Sequence, residues 1–175
     1  LMKRILNTDL IHYKPHTIIQ GWLFIFLDSC KTGSAGGLIS EKTLLRVEET
    51  LKTYPDHPAV ICMHHPMVAV GSEWLDTMKI DNGEVLSSSL DRFKQIKLVL
   101  CGHIHQEFSQ QFNNFPLLAL PSTCIQFLPK SKGFALDKIS PGYRWLQFGN
   151  DGTLVTAIER SGVEPTSVDF ASAGY

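Results

Sequence analysis

Three apolar runs constrain this chain more than anything else in it: WLFIFL (22–27), AVICM (59–63) and KLVLC (97–101). Each is apolar at nearly every position, the mark of a strand covered on both faces rather than of one with a wet side. The second and third also stop abruptly, at His64-His65-Pro66 and at Gly102-His103-Ile104-His105. Between the first two lies a segment with helical spacing. Ser40 is a plausible N-cap, and Leu44, Leu45, Val47 and Leu51 form an apolar stripe to about Lys52, where YPDHP ends the helix. Strand, helix and buried strand in succession argue for an α/β unit. The spacing predicts a loop over 66–87, a short helix over 90–95 and a strand over 97–101.

The rest of the chain reads differently. HTII and WLFIF flank Gln20-Gly21, so they predict a hairpin. Polar and apolar residues alternate around Asn113-Asn114, and again in RWLQF and TLVTAIER around Asn150-Asp151-Gly152, so the C-terminal half is expected to be mostly antiparallel. CKTGSAGG lacks the Lys-Ser/Thr ending of a phosphate-binding loop and reads as a flexible connection. The opening LMKRIL has helical spacing at Met2, Ile5 and Leu6 that is then lost, and the tail from about residue 160 shows no periodicity. One domain over 1–175 is expected.

Composition excludes several classes. A net charge of −1 supplies no basic field for a nucleic-acid polymer, and the longest apolar stretch, Trp22 to Leu27, is far too short to span a membrane. No signal peptide is expected, and the four scattered cysteines (Cys30, Cys62, Cys101, Cys124) fit reduced thiols in a cytoplasmic protein.

Four of the seven histidines sit at the ends of the second and third buried runs. The carboxyl ends of strands are where α/β folds gather ligands, and neutral imidazole is the commonest metal ligand. In His103-Ile104-His105 the two rings point the same way if the segment is extended. His12, His16 and His57 lie in polar contexts without such a pattern and are read as structural.

MHHP followed by GHIH resembles the C-terminal half of the calcineurin-like metallophosphoesterases. GHIHQ, PSTC-QF, PGYRWLQF…DGTL and ASAGY are similar to the bacterial 3′,5′-cyclic-AMP phosphodiesterases, over about Trp22 to Tyr175. The resemblance implies an α/β fold, part of a four-layer α/β/β/α sandwich with a two-metal site where the loops meet. It implies that His64 and His103 ligate the second metal, that His105 ligates the first, and that His65 lies beside them, either with a catalytic role toward substrate or supporting the ligands from behind. It implies in-line attack of a metal-bound hydroxide on phosphorus, with Mn, Fe or Zn as the metals. The family's loop after the first histidine motif makes Trp74 and Asn82 candidate substrate-binding residues, Trp74 by stacking on a nucleobase; the alternatives are that Trp74 packs the loop down or meets a second copy and that Asn82 forms a turn. Ser122 and Thr123 are placed where they can face the metals.

The family pattern also needs Asp-x-His, Gly-Asp and Gly-Asn-His upstream, and residues 1–63 contain none of them. Histidines alone would hold at most one metal, weakly. The N-terminal strands of the sandwich are therefore expected to be missing, the chain alone inactive, and the exposed sheet covered by a second copy or by a separate N-terminal segment. Two alternatives stay open: a non-catalytic homologue that dimerises or binds nucleotide, and a mononuclear zinc hydrolase on His64, His103 and His105. The second lacks a base, since Glu107 sits roughly 7 Å beyond His105 in an extended segment. A serine hydrolase is excluded by the lack of a Gly-x-Ser-x-Gly elbow.

Overall fold

Gln20 and Gly21 take φ of 47° and 84°, the left-handed pair that a tight hairpin turn needs. His16–Ile19 (β1) therefore folds back on Trp22–Phe26 (β2), with Ile19 opposite Trp22. In this computed structural model, which describes residues 12–163 and 168–172, β2 is the first of four adjacent parallel strands. Ala59–Met63 (β3) lies beside β2, and Ile96–Cys101 (β4) beside β3. Phe108–Gln111 (β5) and Pro116–Ala119 (β6) form the hairpin expected around Asn113-Asn114. That hairpin does not stand apart: β6 runs parallel to β4 and extends the sheet, giving the order β1-β2-β3-β4-β6-β5. The antiparallel reading of the C-terminal half holds for the hairpin's own pairing and fails for its place in the sheet.

One face of this sheet is covered by helices. Glu41–Thr53 (α1) is capped by Ser40, whose Oγ accepts from the Thr43 N–H at 3.1 Å, and it ends at Tyr54. Val47 and Leu51 are fully buried, whereas Leu45 is 54% exposed and lies off the stripe. The stretch read as a loop contains a one-turn helix, Glu73–Asp76 (α2), and then Gly83–Leu90 (α3). The expected helix over 90–95 thus lies earlier in the chain. Gly83 and three consecutive serines are weak helix formers. Tertiary packing overrides them, because Leu86 and Leu90 are completely buried and Gly83 lies so close to Met67 that a Cβ would overlap the Met67 carbonyl oxygen. Glu48 of α1 accepts from the Ser89 hydroxyl at 2.6 Å and pairs with Arg92, joining the two helices. Beneath them lie Leu23 and Ile25 of β2, Ile61 and Met63 of β3, Val99 and Cys101 of β4, and Leu117 of β6.

The other face is covered by the second hairpin. Gly142–Phe148 (β9) and Leu154–Arg160 (β10) pair antiparallel, and their Leu146, Phe148 and Leu154 pack on Trp22, Val60 and Leu98. Trp22 anchors the hairpin through its indole N–H, which donates to the Gly149 carbonyl at 2.9 Å. Between the two hairpins, Gln126–Phe127 (β7) pairs with Leu136–Asp137 (β8). The described residues form three layers, α/β/β, which is the partial version of the four-layer sandwich. They include no helix long and apolar enough to cross a membrane. Residues 161–163 and 168–172 lie outside helices and strands, as the aperiodic tail predicts; the opening pattern of Met2, Ile5 and Leu6 lies outside the described residues.

All four cysteines are free. Cys62 faces the hairpin side and Cys101 the helical core, and burial pushes their thiols up to about 11 and about 12.

Candidate metal centre

The parallel register of β3 and β4 brings their carboxyl ends side by side, and the Gly102 N–H donates to the His64 carbonyl at 3.0 Å. His64 and His65 leave β3; His103 and His105 leave β4 one residue later in register. The His-x-His segment is not extended. His103 and His105 both take left-handed φ, 63° and 49°, and the Ile104 N–H donates to the Gly102 carbonyl at 2.7 Å in a tight turn. Ile104 is completely buried. Its side chain plugs the helical core, and the histidines on either side are turned into a common cavity of about 550 Å³ together with His64, His65, Asp28 and Phe127.

Within it three imidazoles pack ring to ring. His64 lies 4.8 Å from His65 and 5.0 Å from His103, and His65 lies 4.7 Å from His103. One nitrogen from each lies within 4.8 Å of the others. The His103 Nδ1 is 3.1 Å from the His64 Nε2, so one of the two carries the proton they share; the His103 Nε2 is buried without a partner. His105 stands beside this group. Its Nδ1–H donates to the Ile125 carbonyl at 3.1 Å, and its ring lies flat on Phe127 at 4.5 Å. The Nε2 of His105 is thereby left unprotonated in the neutral ring.

Burial lowers the pKa of all four histidines, reinforced for His64 and His103 by neighbouring imidazoles. His103 is held down to about 4. The rings are therefore neutral at pH 7, the form that binds a metal. The buried, unpartnered Nε2 of His103 costs free energy until something accepts its lone pair or takes its proton. Together with neutral imidazoles on two adjacent loops, it fits an ion of the Zn, Fe or Mn class.

His65 differs from the other three. Its Nε2 lies 3.1 Å from the Ala35 carbonyl, which can only accept, so Nε2 carries the hydrogen. Its Nδ1 then accepts from the Ser29 hydroxyl at 2.8 Å. Neither nitrogen has a lone pair to spare while those bonds stand.

The cavity does not include Trp74 or Asn82 among its lining residues. The Trp74 indole N–H donates to the Ser131 hydroxyl at 3.0 Å, and its ring meets Phe127 and Phe134 edge-on, one residue behind the cavity wall. The Asn82 side chain is spent on one backbone unit: it accepts from the Ile39 N–H at 3.1 Å and donates to the Ile39 carbonyl at 2.8 Å. Ser122 and Thr123 do not line the cavity either, and the Ser122 hydroxyl accepts from the Cys124 N–H. Glu107 is exposed, 4.0 Å from Arg160. His57 is tied to the Gly21 carbonyl at 2.7 Å, in keeping with a structural role.

Sequence reasoning missed Ser29, Ala35 and Phe127 as parts of the site. The segment 30–37 is not a loose connection: Cys30 and Gly37 bridge each other, and Gly37 bridges Ile80. The available signal was positional. Asp28-Ser29 follows the first buried run just as the histidines follow the second and third, and the strand-end rule applies to all three alike.

No protein-family model matches the chain. Over 159 residues, 91% of its length, it is 41% identical to a 3′,5′-cyclic-nucleotide phosphodiesterase of Nostoc sp., of which it covers 60%. It is 38% identical to the 3′,5′-cyclic adenosine monophosphate phosphodiesterase of Vibrio vulnificus over 88% of this chain and 56% of that one. The corresponding Escherichia coli K12 protein is 40% identical over 89% of this chain and 57% of its own length. The chain therefore spans less than two-thirds of the curated relatives it matches. Among solved structures, a dimetal phosphatase from Danio rerio superposes with a TM-score of 0.53 over 78% of this chain and 57% of that one, at 15% identity, a likeness of fold alone. The chain is thus similar in sequence, over 91% of its own length, to a large part of a 3′,5′-cyclic-nucleotide phosphodiesterase, and in fold to a dimetal phosphatase.

Proposed function

We propose that this chain supplies the histidine half of a metal-dependent phosphodiesterase site, whose substrate in the complete protein is a cyclic nucleotide, 3′,5′-cyclic AMP foremost, or another phosphodiester. The observation that carries this is the orphaned His103 Nε2 amid neutral His64 and His105 at two adjacent strand ends. His64, His103 and His105 would hold a divalent ion of Mn, Fe or Zn. Such an ion supplies Lewis acidity toward a phosphoryl oxygen and activation of water. The residues of this chain keep the rings neutral, hold them at fixed separations and seat them in a cavity walled by Phe127. The complete protein would use two metals.

The three side chains close enough together to share an ion, His64, His65 and His103, include no carboxylate, and Asp28 lines the same cavity outside that group. That supports at most one weakly held ion on this chain and no turnover by it alone. The same observation favours a second reading, a non-catalytic homologue that dimerises or binds nucleotide. In either case the thinly covered hairpin face and the edge strand β1 would be met by a second copy or by an N-terminal segment, in the cytoplasm.

Calorimetric titration of the chain with Zn²⁺ and Mn²⁺ tests the proposal, with cyclic AMP hydrolysis assayed in parallel. One ion per chain, lost in His103→Ala, with no turnover, is the expected result. Equal binding by His103→Ala would overturn the assigned ligand set. Turnover by the chain alone would show that carboxylates are dispensable.

A further inference from the structure

His65 is the one histidine of the cluster with both nitrogens committed, and everything that commits it comes from a single segment. The Ser29 hydroxyl serves its Nδ1 at 2.8 Å, and the same oxygen accepts from the His65 backbone N–H at 3.4 Å. The Ala35 carbonyl accepts from Nε2 at 3.1 Å. Gly37 lies against the ring: a Cβ there would stand 2.8 Å from the His65 Cγ and 2.9 Å from its Nδ1. Ser29 is 3% exposed and His65 9%. Three contacts, two polar and one of close packing, fix the ring's position, its rotation and its tautomer.

The segment making these contacts is itself held on both sides. The Leu38 N–H donates to the Ser29 carbonyl at 3.1 Å, closing the loop on itself. The Gly37 N–H donates to the Lys79 carbonyl at 3.2 Å, and the Asp81 N–H to the Gly37 carbonyl at 2.8 Å. Lys31 pairs with Asp81 at 2.6 Å. Asn82, next in the chain, grips Ile39 as described above. A glycine-rich loop with this many ties behaves as a fixed arm, not as a spacer.

We infer that Ser29–Gly37 is a clamp that makes His65 a positioning residue: it acts as a rigid template between His64 and His103 and contributes no ligand itself. This rests on the proposed metal reading of His64 and His103. The geometry gives it a definite form. His65 faces His64 edge-on at 86° and His103 at 50°, so its ring sets the separation and tilt of both. Held in the Nε2–H tautomer, it presents no lone pair to the cavity and does not compete for the ion. Supporting groups that orient ligating imidazoles typically change metal affinity by about 10- to 100-fold when removed.

The test uses the full chain labelled with ¹⁵N in its histidine rings. In the metal-free protein, His65 is expected as a single Nε2–H tautomer with an accepting Nδ1. On adding Zn²⁺, the His64 and His103 nitrogens should shift while those of His65 stay in place. Ser29→Ala leaves the Ala35 bond, and with it the Nε2–H tautomer, in place; it should free the His65 Nδ1 lone pair, moving that ¹⁵N resonance downfield, and lower Zn²⁺ affinity by about 10-fold, with thermal unfolding showing that the variant is folded. Ser29→Thr, which keeps the hydroxyl, should restore the hydrogen-bonded Nδ1 resonance. Direct coordination of Zn²⁺ by His65 in the unsubstituted chain would overturn the inference whatever the variants do. So would an unchanged His65 Nδ1 resonance in Ser29→Ala. If the unsubstituted chain takes up no Zn²⁺, the metal reading fails, and the Nδ1 comparison in metal-free protein still decides the clamp.

Discussion

The two histidine-bearing strand ends reach one cavity by opposite means. At the end of β3 the backbone is relaxed, and orientation is imposed from outside by Ser29, Ala35 and Gly37 acting on His65. At the end of β4 orientation comes from within: buried Ile104 fixes the turn, and His103 and His105 accept left-handed backbone on either side of it. An apolar run ending in histidine can thus present its rings through polar ties or through backbone strain. Strain of that kind costs of order 1–3 kcal/mol per residue outside glycine. It persists where surrounding structure over-determines it, most often at functional sites.

The comparison can be broken by protons first. All four rings have folded pKa values below the ordinary 6.5, so between that value and about 4, where His103 titrates, the unfolded chain binds more protons than the folded one. Stability therefore rises with pH across this window; it is present above 6.5 and lost as pH falls toward 4. Thermal melts in EDTA from pH 7.5 to 4.5 should show a falling midpoint, the largest effect expected here. A flat profile would mean that the rings are not buried as neutral imidazoles.

Strain itself supplies the second test. His103→Gly removes a left-handed side chain and a buried nitrogen without a partner, which outweighs the lost bond to His64, so the metal-free fold should gain about 1 kcal/mol, roughly 3 °C in midpoint, while ion binding disappears. A loss of stability would show that the His103 ring contributes more through packing than its backbone costs. The smallest effect belongs to His105→Gly. There the relief of φ 49° is offset by loss of the stack on Phe127 and of the bond to Ile125, leaving a change within about 0.5 kcal/mol by denaturant titration. A gain at His103 beside a near-zero change at His105 would separate a ring kept for a ligand from a ring kept for its neighbours.

Much of this was legible in the chain. The runs at 22–27, 59–63 and 97–101 became β2, β3 and β4 within a residue, because unbroken apolar character is what a strand between two packed layers requires. The turns at Gln20-Gly21, Asn113-Asn114 and Asn150-Asp151-Gly152 are set by local chemistry and needed no tertiary information. The strand-end rule put all four histidines at one place. What escaped depended on distant partners. α3 exists because Leu86 and Leu90 have a core to enter and Gly83 a carbonyl to lie against, neither visible in GEVLSSSL. The side chains of Trp74 and Asn82 bond to Ser131 and Ile39, 57 and 43 residues away, and no local pattern announces either partner. The glycine-rich segment looked featureless because two of its contributions to the site are a backbone carbonyl and the lack of a side chain, and composition records neither as chemistry.

Gly83 has a meaning for inheritance as well as for packing. Where it passes the Met67 carbonyl there is no volume for even a methyl group, so any codon change that replaces this glycine must shift α3, and with it Leu86 and Leu90, away from the sheet. The stretch between the histidine motifs can therefore drift freely at an exposed residue such as Val85 while this one position stays fixed. Among descendants of this gene, a lineage that has lost that glycine would be one that has rebuilt the loop around it.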